Sequence, residues 1–197
     1  MKVDNFEEFE RIFSLNNNEF YFIQIIQRRK DNNSVTSSDN RYRRVKSYYI
    51  SSLAEYRKFK SEIISFCENN NARAYIRVSP VSFYDVAVNA ASEYLRRIKE
   101  KQTFKSCNLY DSCCEKTKSY HEKLWLVDVD EGVNLSDTIE NIEKLGSSIR
   151  LKLPTVNGHH LIISPFDIRK WEEKYGEIKR NNPITLLYYN DLSSKSE

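Results

Sequence analysis

Two short clusters combine residue types that can act on a phosphate-bearing substrate. In Leu124-Trp125-Leu126-Val127-Asp128-Val129-Asp130 an apolar run ends in two carboxylates separated by one residue. On a β-strand that spacing puts Asp128 and Asp130 on one face and Trp125, Val127 and Val129 on the other. Two carboxylates on one face suit a hard divalent cation, Mg²⁺ or Mn²⁺, which is typically held by one or two carboxylates with waters and substrate phosphates completing its shell. The plainer alternative is a polar strand end entering the turn at Glu131-Gly132. The second cluster is Asn157-Gly158-His159-His160, which opens another apolar strand. Strand alternation lets only one of the two histidines share the carboxylates' face, and His160 is assigned to it. A lone histidine is also a common structural residue, and Asn-Gly is an ordinary hairpin turn.

Other residues offer binding chemistry. Arg41, Arg43 and Arg44, with Arg73 and Arg77, interleave with Tyr42, Tyr48 and Tyr75. Basic and aromatic side chains on one sheet face suit phosphate contact with base stacking, although composition alone is equally that of a solvated charged face. Cys107, Cys113, Cys114 and His121 amount to four potential zinc ligands. Their C-x5-C-C-x6-H spacing lacks the paired C-x2-C of known zinc folds, and reduced thiols are the simpler reading. The four glycines form neither G-x-x-x-x-G-K nor G-x-G-x-x-G, and there is no G-x-S-x-G or H-E-x-x-H. These absences argue against Walker-type hydrolysis, dinucleotide binding and the recognisable hydrolase and zinc-protease motifs.

The elements that must position these groups follow from periodicity. Residues 20–29 and 41–51 read as a hairpin around a polar loop at 31–40. Helical spacing covers 53–68 and 84–101, and the strand 72–78 turns Ala74, Ile76 and Val78 to one face and Arg73, Tyr75 and Arg77 to the other. Residues 102–122 show little apolar periodicity. Beyond them the pattern is strand 124–129, helix 136–145, strands 149–153 and 159–163, helix 166–175 and strand 184–189. That β-α-β-β-α-β series is the ferredoxin-like arrangement of RNA-recognition modules. The expected fold is therefore α+β: an amino-terminal α/β lobe with a basic sheet face (1–105), a cysteine-containing insertion (106–122) and an RRM-like half (123–197). In such a sheet the first strand lies antiparallel between the third and fourth, which places Asp128 and Asp130 beside Gly158-His159-His160.

With Asp128-Val129-Asp130 followed by Gly158-His159-His160 and an apolar strand, the chain resembles the archaeo-eukaryotic primase (primase-polymerase) superfamily, whose members share an RRM-like catalytic fold. The resemblance covers residues 124–191, with a looser likeness of 73–80 to that family's amino-terminal lobe. It implies that Asp128 and Asp130 bind divalent metal, two Mg²⁺ or Mn²⁺ ions in all, and that His160, with His159 beside it, contacts the phosphates of an incoming nucleoside triphosphate. The implied activity is nucleotidyl transfer to a nucleic-acid 3′-hydroxyl in DNA replication or repair. Single-stranded or primed nucleic acid and replication proteins are the implied partners. The family has a third acidic residue on a later strand. Here Asp191 stands alone on the last strand, at its far end, and Glu131 is the other acid within reach. Without a third acid the alternative is a nucleotide- or nucleic-acid-binding module that does not polymerise.

Bulk composition sets outer limits. The chain has 197 residues, 40% hydrophobic and 30% charged, enough to bury a core and unlike a disordered sequence. No apolar run approaches the roughly 18 residues of a membrane span. The first ten residues lack the basic start and continuous apolar stretch of a secretory signal, so a cytoplasmic location is expected. The net charge of +3 is too small by itself to point to a polyanion.

Overall fold

Glu19 to Ile26 are all buried, and this unbroken burial marks β2 (Glu19–Arg28) as an inner strand covered on both faces. The computed structural model describes residues 1–31, 42–102 and 108–191. Arg41, Cys107 and nearly all of the predicted 31–40 loop lie outside these.

β2 pairs antiparallel with β3 (Tyr42–Ile50) and β4 (Arg73–Arg77). With β10 (Ile184–Asn190) and β1 (Lys2–Asp4) they form one sheet in the order β1-β10-β4-β2-β3, and β5 (Val81–Ser82) pairs with the start of β2. One face is covered by α1 (Phe6–Glu10) and α2 (Leu53–Asn69). The hydroxyl of Ser52 caps α2 by accepting from the Glu55 amide at 3.1 Å, and Tyr56, Ile63 and Cys67 form its buried stripe. These pack with Phe6 and Phe9 against Ile23, Ile25, Ala74, Ile76 and Leu187. On the other face α3 (Phe83–Lys99) and α4 (Leu109–Lys116) cover Phe20, Phe22 and Val81.

A second antiparallel sheet contains β6 (Trp125–Asp130), β7 (Ile149–Pro154), β8 (Gly158–Ile163) and β9 (Glu177–Lys179) in the order β7-β8-β6-β9. Helix α5 (Leu135–Lys144), capped by the Asn134 side chain, closes one face over Trp125, Val127, Val129, Leu161 and Ile163. Residues on the opposite face, Leu126, Leu153 and Ile162, enter the same core as Phe6 and Leu187. The buried Asn5 staples the two sheets: its Nδ2 donates to Pro154 O at 2.9 Å and to Leu186 O at 2.8 Å. The protein is a mixed α+β structure with antiparallel sheets. No helix among the described residues is long and apolar enough to cross a membrane.

Four expectations are corrected. The predicted strand 184–189 is a strand, but it completes the first sheet; the fourth strand of the second sheet is the three-residue β9. The predicted helix 166–175 is instead two 3₁₀ turns, Ile168–Lys170 and Glu173–Tyr175. Its apolar residues pack as a chain of rings from Trp125 through Phe166 and Trp171 to Tyr175, with Trp171 in extended backbone. The segment read as an insertion contains α4, whose Leu109, Cys113 and Cys114 are core residues. Residues 123–197 are thus not a separate half, because β10 belongs to the amino-terminal sheet.

Candidate functional site

Register decides what surrounds the two carboxylates. Across β6 and β8, Asp128 faces His160 and Asp130 faces Gly158, while on the other side Asp128 faces Glu177 of β9. Two glycines permit this close packing. Gly176 has φ +113°, and a Cβ there would lie 2.4 Å from the Asp128 carbonyl oxygen; at Gly158 it would lie 2.0 Å from the Val129 carbonyl oxygen.

Asp128 and Asp130 line a cleft of about 450 Å³ between the two sheets. His160 and Lys179 line it from the same sheet, and Arg28, Tyr42, Arg73 and Tyr75 from the other. Asp128 Oδ1 lies 3.2 Å from His160 Nε2 and Oδ2 lies 2.5 Å from Lys179 Nζ. The hydrogen bond from His160, joined by that from Lys179, outweighs partial burial and holds the Asp128 carboxyl well below the usual carboxylate range. The His160 ring is buried, with Nδ1 2.9 Å from the hydroxyl of Thr185, itself fully buried. Both ring nitrogens are therefore engaged, and His160 fixes the orientation of Asp128. Asp130 is exposed, and its carboxylate has no hydrogen-bond or ion-pair partner among the described residues.

The remaining predicted residues lie elsewhere or are otherwise engaged. His159 is on the opposite face of β8, bordering an adjoining hollow with Val129, Glu131 and Leu135 that meets the cleft at Asp130 and Asn157; burial there pushes its pKa down. The backbone amide of Asp191 donates to Met1 O at 2.9 Å. It follows Asn190 at the far end of β10 from Thr185, a separation of roughly 20 Å at strand rise. Arg73 and Arg44 share a sheet face, but Arg73 makes two 2.7 Å bonds to Asp31 and Arg44 pairs with Asp111 and Glu115. Arg77 is 1% exposed and donates to the Cys114 and Thr117 carbonyls and to Asn182 Oδ1. Burial lowers its pKa to about 10. Arg43 is exposed and lies on the opposite face from Arg44. The expected open basic face over Arg44, Arg73 and Arg77 is therefore replaced by internal ion pairs at Arg44 and Arg73 and by hydrogen bonds to neutral acceptors at Arg77.

The described members of the cysteine set also have other roles. Cys113 and Cys114 are buried in an apolar cluster that pushes both thiols up, and His121 Nε2 donates to Glu19 Oε2 at 2.5 Å. Among the described residues no group of three or more His, Cys, Asp or Glu is arranged to hold a metal ion.

Arg28, Lys179 and Thr185 escaped the sequence reading. Lys179 ends a strand too short to show alternation, and Arg28 and Thr185 reach the site only through the register of β2 and β10. Compared with family models, curated proteins and solved structures, the chain shows no match.

Proposed function

We propose that the cleft binds a nucleoside triphosphate with a divalent cation, and that the chain is a primase-polymerase-like nucleotidyltransferase acting on a nucleic-acid 3′-hydroxyl. The observation carrying this reading is the convergence of Asp128 and Asp130 with Arg28 and Lys179 in one cleft bordered by Tyr42 and Tyr75. The order β7-β8-β6-β9 supports an RRM-like second sheet, with its second helix reduced to two turns.

Asp130 and the half-buried Asp128 suit one hard cation whose remaining positions are filled by substrate phosphates and water. When bound, such a cation neutralises charge that develops on the transferred phosphoryl group. The protein's own groups then have separate tasks. Arg28 and Lys179 bind phosphate oxygens, Tyr42 and Tyr75 offer ring faces to a base, and His160 with Thr185 holds Asp128 in place. In the transfer the 3′-oxygen bonds to the α-phosphorus and the bond to the bridging oxygen breaks. Pyrophosphate leaves with that electron pair, and the hydroxyl proton passes to water.

The Lys179–Asp128 pair and the distance of Asp191 favour the second reading, nucleotide binding without transfer. Primer extension separates the two. Mn²⁺- or Mg²⁺-dependent incorporation on primed or unprimed single-stranded template, abolished in the Asp128→Ala, Asp130→Ala double variant, is the expected result. Metal-dependent nucleotide binding without incorporation would establish the second reading.

A further inference from the structure

A second hollow, about 560 Å³, is walled by the segment joining α4 to β6 and by the turn joining β9 to β10. Lys116, Lys118, Lys123 and Arg180 line it, all four exposed and none with a carboxylate partner among the described residues. The other titratable groups there are already engaged. Glu122 pairs with Arg150 at 2.7 Å, and His121 is bonded to Glu19. Four cations in a concavity whose lining carboxylate, Glu122, is paired with Arg150 make a field that attracts a polyanion.

The walls are held in fixed relation. Asn182 Nδ2 donates to Glu115 O at 3.0 Å and to Lys116 O at 3.1 Å, joining the β9–β10 turn to the end of α4. The buried Arg77 guanidinium binds both walls, at Thr117 O and Asn182 Oδ1. The groove also adjoins the cleft through that turn, since Lys179 and Ile184 line the cleft while Arg180 and Pro183 line the groove. Tyr120, 74% exposed, stands between the groove residues Ser119 and His121. A free ring beside a cationic channel is what a single strand uses, with bases stacking and backbone tracking the charges.

We infer that this groove holds the phosphodiester backbone of a single-stranded nucleic acid and leads it past Arg180 to the cleft. Its delivery to the cleft rests on the nucleotide-transfer reading; the binding itself does not. The test is fluorescence anisotropy with a labelled oligothymidylate over a range of salt concentrations. It compares the full chain, a Lys118→Ala, Lys123→Ala, Arg180→Ala variant, and a charge-matched Lys58→Ala, Lys152→Ala, Lys170→Ala control. The groove variant is expected to bind at least tenfold more weakly, with the slope of log K against log salt reduced by about 2, since each single-strand phosphate contact contributes roughly 0.7. The control should stay within about twofold.

Equal losses in both variants, no loss in either, or equally tight duplex binding overturns the inference. Mn²⁺-dependent binding of a fluorescent nucleoside triphosphate separates the two sites. It should survive in the groove variant; if the wild type lacks it while the oligonucleotide result holds, the groove stands and the cleft reading fails.

Discussion

The carboxylate of Asp128 has Lys179 on one oxygen and His160 on the other, so a cation entering the cleft competes with an ammonium group. Replacing Lys179 by Met is expected to tighten Mn²⁺ binding by roughly threefold to tenfold, the equivalent of about 1 kcal/mol for a partly exposed pair. Titration calorimetry checks this, and unchanged or weaker binding in the variant would show that Lys179 does not compete with the metal for Asp128. Glu19 gives a pH-dependent case. Burial, the largest influence on its carboxyl, raises the pKa, but the bonds from His121 and Asn16 together lower it further. A depressed pKa in the folded state adds stability above the unfolded value of about 4.3, and that stability is lost as pH falls through the folded value. Glu19→Gln should therefore destabilise by about 1 to 2 kcal/mol at pH 7, with a smaller difference at pH 3. Urea unfolding at the two pH values measures it; a larger difference in acid would mean that the Glu19 carboxyl is not depressed by His121 and Asn16 in the folded state. At this scale the facing of Asp128 and Asp130 was legible from alternation alone. Lys179 was not, because its meeting with Asp128 depends on a strand pairing that leaves no periodic trace.

Among the elements, those with long amphipathic patterns, α2, α3 and α5, lie where periodicity puts them. For β10 the sequence revealed a strand without its partner, because alternation tells which side chains share a face and says nothing about which sheet the strand joins. The 166–175 segment failed for another reason: ring-to-ring packing determined its backbone more strongly than helical spacing did. Asn5 tests how the sheets are joined. Asn5→Ala removes both donations that connect Pro154 and Leu186. It should cost about 1 to 3 kcal/mol, read as a lower urea midpoint, because the Leu186 carbonyl, in a buried bond, and the Pro154 carbonyl, in a partly buried one, each lose a donor. An unchanged midpoint would mean that apolar packing alone holds the sheets together.

At the scale of the whole molecule, Leu126, Leu153 and Ile162 from the second sheet share a core with Phe6, Ile23 and Leu187 from the first. A fragment of residues 123–197 should therefore fail to fold alone, giving collapsed amide dispersion by NMR. A well-dispersed spectrum would show that the division expected from sequence is real. This same arrangement brings acidic and basic walls together in one cleft, and it makes the nucleotide site a property of both sheets. The most direct test is calorimetric binding of a nucleoside triphosphate with and without Mn²⁺, comparing wild type with Asp130→Asn, whose exposed side chain can be altered without disturbing packing. Binding that requires Mn²⁺ and weakens at least tenfold in Asp130→Asn is the predicted result. Binding that is absent, or indifferent to both the metal and the substitution, would contradict the account.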